Sequence, residues 1–195
     1  MRILGIDPAL RVTGYGVIEC NGSHARLIEA GVVAPKTRAA LETRLAQLHA
    51  AMTEIIAQTR PDAVVIEALY ATYKSPATAI LMGHARGVLA LASAQAGVPV
   101  HTLDHTRVKR TLVGSGSARK KQVGAMVTQL LGLRSLPRPH DVSDALALAL
   151  AFHHRLSSQA SEVRGTERRG EKRRNAARGR VGRAQRGLPL TCFPE

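Results

Sequence analysis

Along the first 156 positions, short apolar runs give way to helical stripes and back again. Arg2 to Asp7 is an apolar run that meets a turn at Pro8. Gly14 to Glu19 and Arg26 to Ala34 read as two more strands, and Cys20-Asn21-Gly22-Ser23 between them carries hairpin turn residues. These three strands are expected to form an antiparallel meander. From Thr37 to Gln58 the period changes: Leu41, Leu45, Leu48, Met52, Ile55 and Ile56 recur at helical spacing, and Pro61 ends the helix. Ala63 to Glu67 is a compact run in which Val64-Val65-Ile66 leads into an acid. Short β-branched runs of this kind are central strands of a sheet covered on both faces. A second helix, rich in Ala and Gly, is predicted from Ser75 to Ala96, then a fifth strand from Val98 to Leu103. Short helices follow from Thr106 to Gly114 and from Arg119 to Leu131, and a last one from Asp141 to His154. A meander followed by strands alternating with helices predicts an α/β fold, a mixed five-stranded sheet with helices on both faces. No internal repeat is evident.

After Leu156 the pattern stops. Arg, Gly, Ser, Glu and Ala dominate, and Leu, Ile, Met and aromatic residues vanish until Leu188. Such a stretch buries too little surface to repay its ordering. Residues 1–156 are therefore expected to be one domain and residues 157–195 a basic disordered tail. The net charge is +14, and eleven of the 28 basic and four of the 14 acidic residues lie from Arg155 onward. The stretch from Arg155 onward and the region before it thus each carry +7, so the folded part is basic in its own right. That surplus suggests a polyanionic partner, a merely soluble basic protein being the plain alternative. With aromatics at 3% and no Trp, the core must be packed with Ala, Val, Leu and Ile. Cys20 and Cys192 stand alone, which fits neither a disulfide framework nor a zinc site. There is no signal-peptide pattern, and no run reads as long enough to span a bilayer. A soluble, cytoplasmic protein with no membrane partner is expected.

Carboxylates stand where an apolar core would not place them. Asp7 follows Ile3-Leu4-Gly5-Ile6, Glu67 follows Val64-Val65-Ile66, and Asp141 and Asp144 open an otherwise apolar helix. Burying an unpaired carboxylate costs several kcal/mol or raises its pKa, so each needs a partner. Asp7 and Glu67 end strands that can be neighbours, and Asp141 and Asp144, three apart, share a helical face. If that helix crosses those strand ends, the four converge. Converging carboxylates repel unless cations neutralise them, and all-oxygen sites select magnesium or manganese. Two such ions roughly 3.5–4 Å apart activate a water and stabilise the leaving oxygen of a phosphodiester. Taken singly, Asp141 reads as a helix N-cap and Asp7 as an Asp-Pro turn, and spacing alone does not prove convergence. His140, beside Asp141, is open between ligand, proton carrier and surface residue. The other histidines have no ligand-like partner in sequence, and His153 and His154 read as helix-end residues.

Lys109, Arg110, Arg119, Lys120 and Lys121 flank Gly114-Ser115-Gly116-Ser117. They suit phosphate contacts, or a solvated helix face. Tyr70, three residues after Glu67, either caps the core or points outward to stack on a nucleobase.

These motifs resemble those of the RuvC Holliday-junction resolvases. The resemblance rests on Gly5-Ile6-Asp7-Pro8, Arg11 to Ile18, Ile66-Glu67, Gly83-His84-Ala85-Arg86-Gly87-Val88, Val108-Lys109, Gly114 to Ala118 and Asp141 to Ala147, in order and with matching spacing. It runs from Met1 to about His154 and implies an RNase H-like fold. It also implies a homodimeric, magnesium-dependent endonuclease that nicks two opposed strands of a four-way DNA junction symmetrically, and a branch-migration motor complex as partner. By motif position Asp7, Glu67, Asp141 and Asp144 are the catalytic and metal-binding acids, with two magnesium ions expected and manganese as a substitute. Tyr70 falls where the family carries an aromatic that meets a junction base, and Lys109 and Lys120 fall on DNA-contacting positions. Ala9 departs from the Gly usual after Asp-Pro, and the tail has no counterpart.

Three other readings compete. A kinase of the actin and sugar-kinase superfamily also opens with a Gly-Ile-Asp strand, but needs a second phosphate motif and domain for which this chain is too short. A non-catalytic DNA-binding module accounts for the charge and leaves the acids without a purpose. An RNase H-like nuclease acting on RNA differs from a junction resolvase only in the motif set.

Overall fold

The computed structural model describes residues 1–69 and 76–159. Tyr70, Cys192 and the tail from residue 160 lie outside the described residues. Met1–Arg155 form a compact unit. Its sheet runs in the order β3-β2-β1-β4-β5, with β1 at Arg2–Asp7, β2 at Thr13–Asn21, β3 at His24–Val33, β4 at Ala63–Glu67 and β5 at Val100–Leu103. β1, β2 and β3 form the expected antiparallel meander, while β4 and β5 run parallel to β1. The helices are α1 (Leu41–Thr59), α2 (Pro76–Gln95), α3 (His105–Val113) and α4 (Lys120–Leu130). A last helix, α5, covers residues 140–159.

Strand parity decides which helices each side chain meets, because successive residues face opposite sides of a sheet. Leu4 and Ile6 of β1 and Val64 and Ile66 of β4 join one core with Leu48, Met52 and Ile56 of α1 and Ala85 and Leu89 of α2. The alternate residues face α5. A side chain at Gly5 would run into the backbone of Ala145 and Ala149, one at Gly14 into Asp141, and one at Gly16 into Leu146. Register places these three glycines together, Gly5 opposite Gly16 and Asp7 opposite Gly14. The helix thus lies at backbone contact on a glycine floor. Asp7 shares the face of Gly5, and Glu67 that of Val65, so both carboxylates emerge on the α5 side.

Several boundaries differ from expectation. α1 begins at Leu41 because residues 37–40 are spent in a turn, Ala39 N–H donating to the Lys36 carbonyl at 3.0 Å. β5 begins at Val100 because Val98 N–H instead donates to the Ser93 carbonyl, closing the end of α2. α5 continues past His154 to residue 159, so His153 is no helix-end residue but a buried one. Its apolar pattern reports burial and ends before the helical backbone does. The expectation that no segment could span a bilayer is also corrected. α2 is long and apolar enough by length and composition. Its inner face, Ala85, Leu89, Ala92 and Ser93, is nonetheless buried within the unit. Arg86 in its middle donates from Nη2 to Thr102 Oγ1 at 2.8 Å.

On the α1 side, Tyr15 Oη donates to Glu29 Oε1 at 2.8 Å. Burial, then this bond, pushes the phenol up to about 12 from 10.0. With the folded value above the unfolded one, the bond's stabilisation is complete below pH 10 and is lost as the pH rises toward 12. Tyr15→Phe is expected to cost about 1 kcal/mol, roughly 2–4 °C in melting temperature. Melting curves from pH 8 upward should show the gap to wild type closing above pH 10.

Candidate active site

β1 and β4 pair through Ile6 and Ile66, so Asp7 and Glu67 leave adjacent strands at one level. Their side chains share a hydrogen bond. Burial pushes Asp7 up to about 8, and the charge of Glu67, that hydrogen bond, and the charges of Asp144 and Asp141 push the same way. Three acids scattered from position 67 to 144 therefore lie within electrostatic reach of Asp7. Asp141 is already inside the helix, which begins at residue 140, and is not the residue before it. The close approach of its backbone to Gly14 sets the start of α5 against the end of β1.

The crowding is balanced by neighbouring groups. Lys120 Nζ donates to Asp144 Oδ2 at 2.9 Å, and that bond raises the lysine's pKa. His105 Nδ1 lies 3.2 Å from Glu67 Oε1. Among the described residues, no three Asp, Glu, His or Cys side chains meet as they stand in the arrangement that holds a metal ion. Glu67, His105, Lys109, Lys120 and Asp144 line one cleft open to solvent, with Val108, Val123 and Leu148 forming its apolar wall.

The five predicted basic residues divide. Lys109 and Lys120 line this cleft, whereas Arg110, Arg119 and Lys121 are exposed beside it on α3, at the N-cap of α4 and in its first turn. His140 is exposed at the start of α5, where its carbonyl accepts the Ser143 hydroxyl at 2.8 Å. Two residues escaped the sequence reading. His105 reaches Glu67, and Arg86 Nε donates to the Glu67 carbonyl at 3.2 Å. Each is brought there by strand register or helix packing, which no local spacing reveals. Arg86 alone carried a signal, as the single cation inside an apolar helix.

The model of the crossover junction endodeoxyribonuclease RuvC family matches residues 3–153. The chain is 46% identical over 152 residues to the crossover junction endodeoxyribonuclease RuvC of Rhodopirellula baltica, covering 78% of this chain and 85% of that protein. It is 38% identical over 173 residues to that of Syntrophomonas wolfei, covering 87% of this chain and all of the other. Its structure resembles T. thermophilus RuvC in complex with Holliday junction substrate, with TM-score 0.73 and 34% identity over 79% of this chain and 94% of that one. The yeast mitochondrial Holliday junction resolvase, at 13% identity and TM-score 0.57 over 84% of this chain and 83% of that one, shares the RNase H-like fold. The chain belongs to the RuvC family of crossover junction endodeoxyribonucleases.

Proposed function

We propose that this chain resolves four-way DNA junctions by nicking two opposed strands symmetrically, one in each subunit of a homodimer. The observation that carries the reading is the crowding of Asp7, Glu67, Asp141 and Asp144 at the ends of β1 and β4, beside a cleft lined by two lysines. An all-carboxylate donor set with mutual repulsion fits hard divalent cations. Asp7, Glu67, Asp141 and Asp144 would hold magnesium, or manganese in its place. When bound, such ions supply Lewis-acid activation of water and charge stabilisation at the phosphate. The chain's own part is to aim the acids from rigid strand ends and to hold the phosphates with Lys109 and Lys120. Arg110, Arg119 and Lys121 extend that grip along the duplex arms. Tyr70, by its family position, stacks on a base at the junction centre. The uncovered apolar side chains of α2, Ile80, Leu81 and Leu91, support the dimer, since a face this apolar favours a partner. A cytoplasmic location and association with a branch-migration motor complex belong to the same proposal.

Incubation with a four-way junction, a linear duplex and an RNA–DNA hybrid, each with and without magnesium, tests it. Paired nicks in opposed junction strands, dependent on magnesium, are expected. Equal cutting of the hybrid overturns the substrate, and cutting in chelator overturns the cation.

Lys120→Ala is expected to weaken junction binding and to reduce the slope of log K against log salt by about one phosphate contact. Binding titrations at several salt concentrations check it, and an unchanged slope would leave Lys120 as the partner of Asp144 alone. Truncation after Ser158 is expected to leave a folded, junction-cutting enzyme with less non-specific DNA affinity, measured on linear duplex. Loss of folding in the truncated chain would make the tail part of the domain.

A further inference from the structure

We propose that His105 is a positioning residue that clamps the carboxylate of Glu67 for cleavage. The inference rests on the reading of Glu67 as one of the site's acids. Register brings the two together: Glu67 pairs with Leu103, and Ala68 N–H donates to the Leu103 carbonyl at 2.9 Å, so β4 and β5 end level. From β5 the chain passes through Asp104, whose side chain accepts Arg107 N–H at 2.7 Å and starts α3. His105 is thereby the first residue of a capped helix, fixed opposite Glu67 by backbone structure. Its Nδ1 lies 3.2 Å from Glu67 Oε1, at ion-pairing distance, and the same carboxylate shares a hydrogen bond with Asp7.

The clamp matters because glutamate carries three side-chain torsions, and a carboxylate at a strand end in an open cleft would otherwise sample several of them. The Glu67 backbone is already held, its carbonyl taken by Arg86. What remains free is the side chain, and His105 and Asp7 hold it from two sides. A misplacement of about 1 Å at a reacting centre can cost on the order of 10²-fold in rate. A partly exposed histidine in a cleft with Lys109 and Lys120 could instead touch DNA directly, and the two roles separate by experiment.

The test uses the full-length chain with His105→Ala and His105→Asn, the asparagine amide nitrogen standing near the place of Nδ1. Single-turnover cleavage of saturating junction, junction affinity in calcium, and titration of the protein alone with manganese are measured together. His105→Ala is expected to cut about tenfold more slowly, to bind junction as wild type does, and to take up manganese more weakly. His105→Asn should recover most of both losses. Wild-type cutting by His105→Ala overturns the proposal. So does a defect that lies wholly in junction affinity, or a drop in melting temperature that accounts for the lost rate and that asparagine does not repair. A wild-type chain that binds no manganese counts against the cation reading alone, and the ratio of the alanine and asparagine rates still decides the clamp.

Discussion

Asp7→Asn should abolish cleavage, spare junction binding and, in chelator, melt above the wild-type chain. On the proposed function Asp7 helps to hold a cation, and losing such an acid removes several kcal/mol of transition-state stabilisation, about 4 kcal/mol corresponding to roughly 10³-fold in rate. Binding survives because phosphate contacts come from lysine and arginine, and removing a negative charge from a DNA-facing surface reduces repulsion. The stability gain follows from titration. Burial and the neighbouring acids hold Asp7 at about 8 in the folded chain against an ordinary carboxyl value of 3.8. A group raised in this way favours the fold below the unfolded value and loses that contribution as the pH climbs to the folded one. Wild type is thus penalised progressively between about pH 4 and pH 8, and asparagine carries no such penalty. Melting curves in chelator at pH 4 and pH 8 should show a gap that opens with pH. Cleavage at a wild-type rate, or a gap that is absent at pH 8, would remove Asp7 from the centre of the site.

Gly5→Ala should damage fold and site together. The new methyl would overlap the Ala145 carbonyl oxygen and crowd the Ala149 amide, both backbone atoms that cannot rotate away. Overpacking of this kind costs about 3 kcal/mol, a fall of roughly 10 °C for a domain of this size. If α5 lifts to make room, Asp141 and Asp144 move away from Asp7 and Glu67. The molecules that do fold should then cut on the order of 10²-fold more slowly. A Gly5→Ala chain that melts and cuts normally would show that α5 does not rest on β1 at backbone distance.

Much of this architecture was legible because its signals are local. Alternation and β-branching marked β1 and β4, and their termini carried Asp7 and Glu67 in plain view. Helical spacing marked α1, and its stop was set by Pro61, with Arg60 in the left-handed region at φ 46°. The apolar character of residues 145–152 announced a helix buried nearly all round, as α5 is. The start of α1 misled because helical periodicity says nothing about where a turn, such as that closed by Ala39 and Lys36, consumes the preceding residues.

By itself, then, the sequence determined the elements, their order and the residues with chemistry to offer, since these depend on periods of two and 3.6 and on side-chain type. Only the tertiary structure decided that the other three acids come within electrostatic reach of Asp7. That required β1 and β4 to pair in parallel register and three glycines to let α5 descend onto the sheet. It also revealed His105 and Arg86 around Glu67, and Lys120 bonded to Asp144. Those contacts join residues 19 to 38 positions apart, and their geometry follows from strand register and helix packing, quantities that no local pattern encodes.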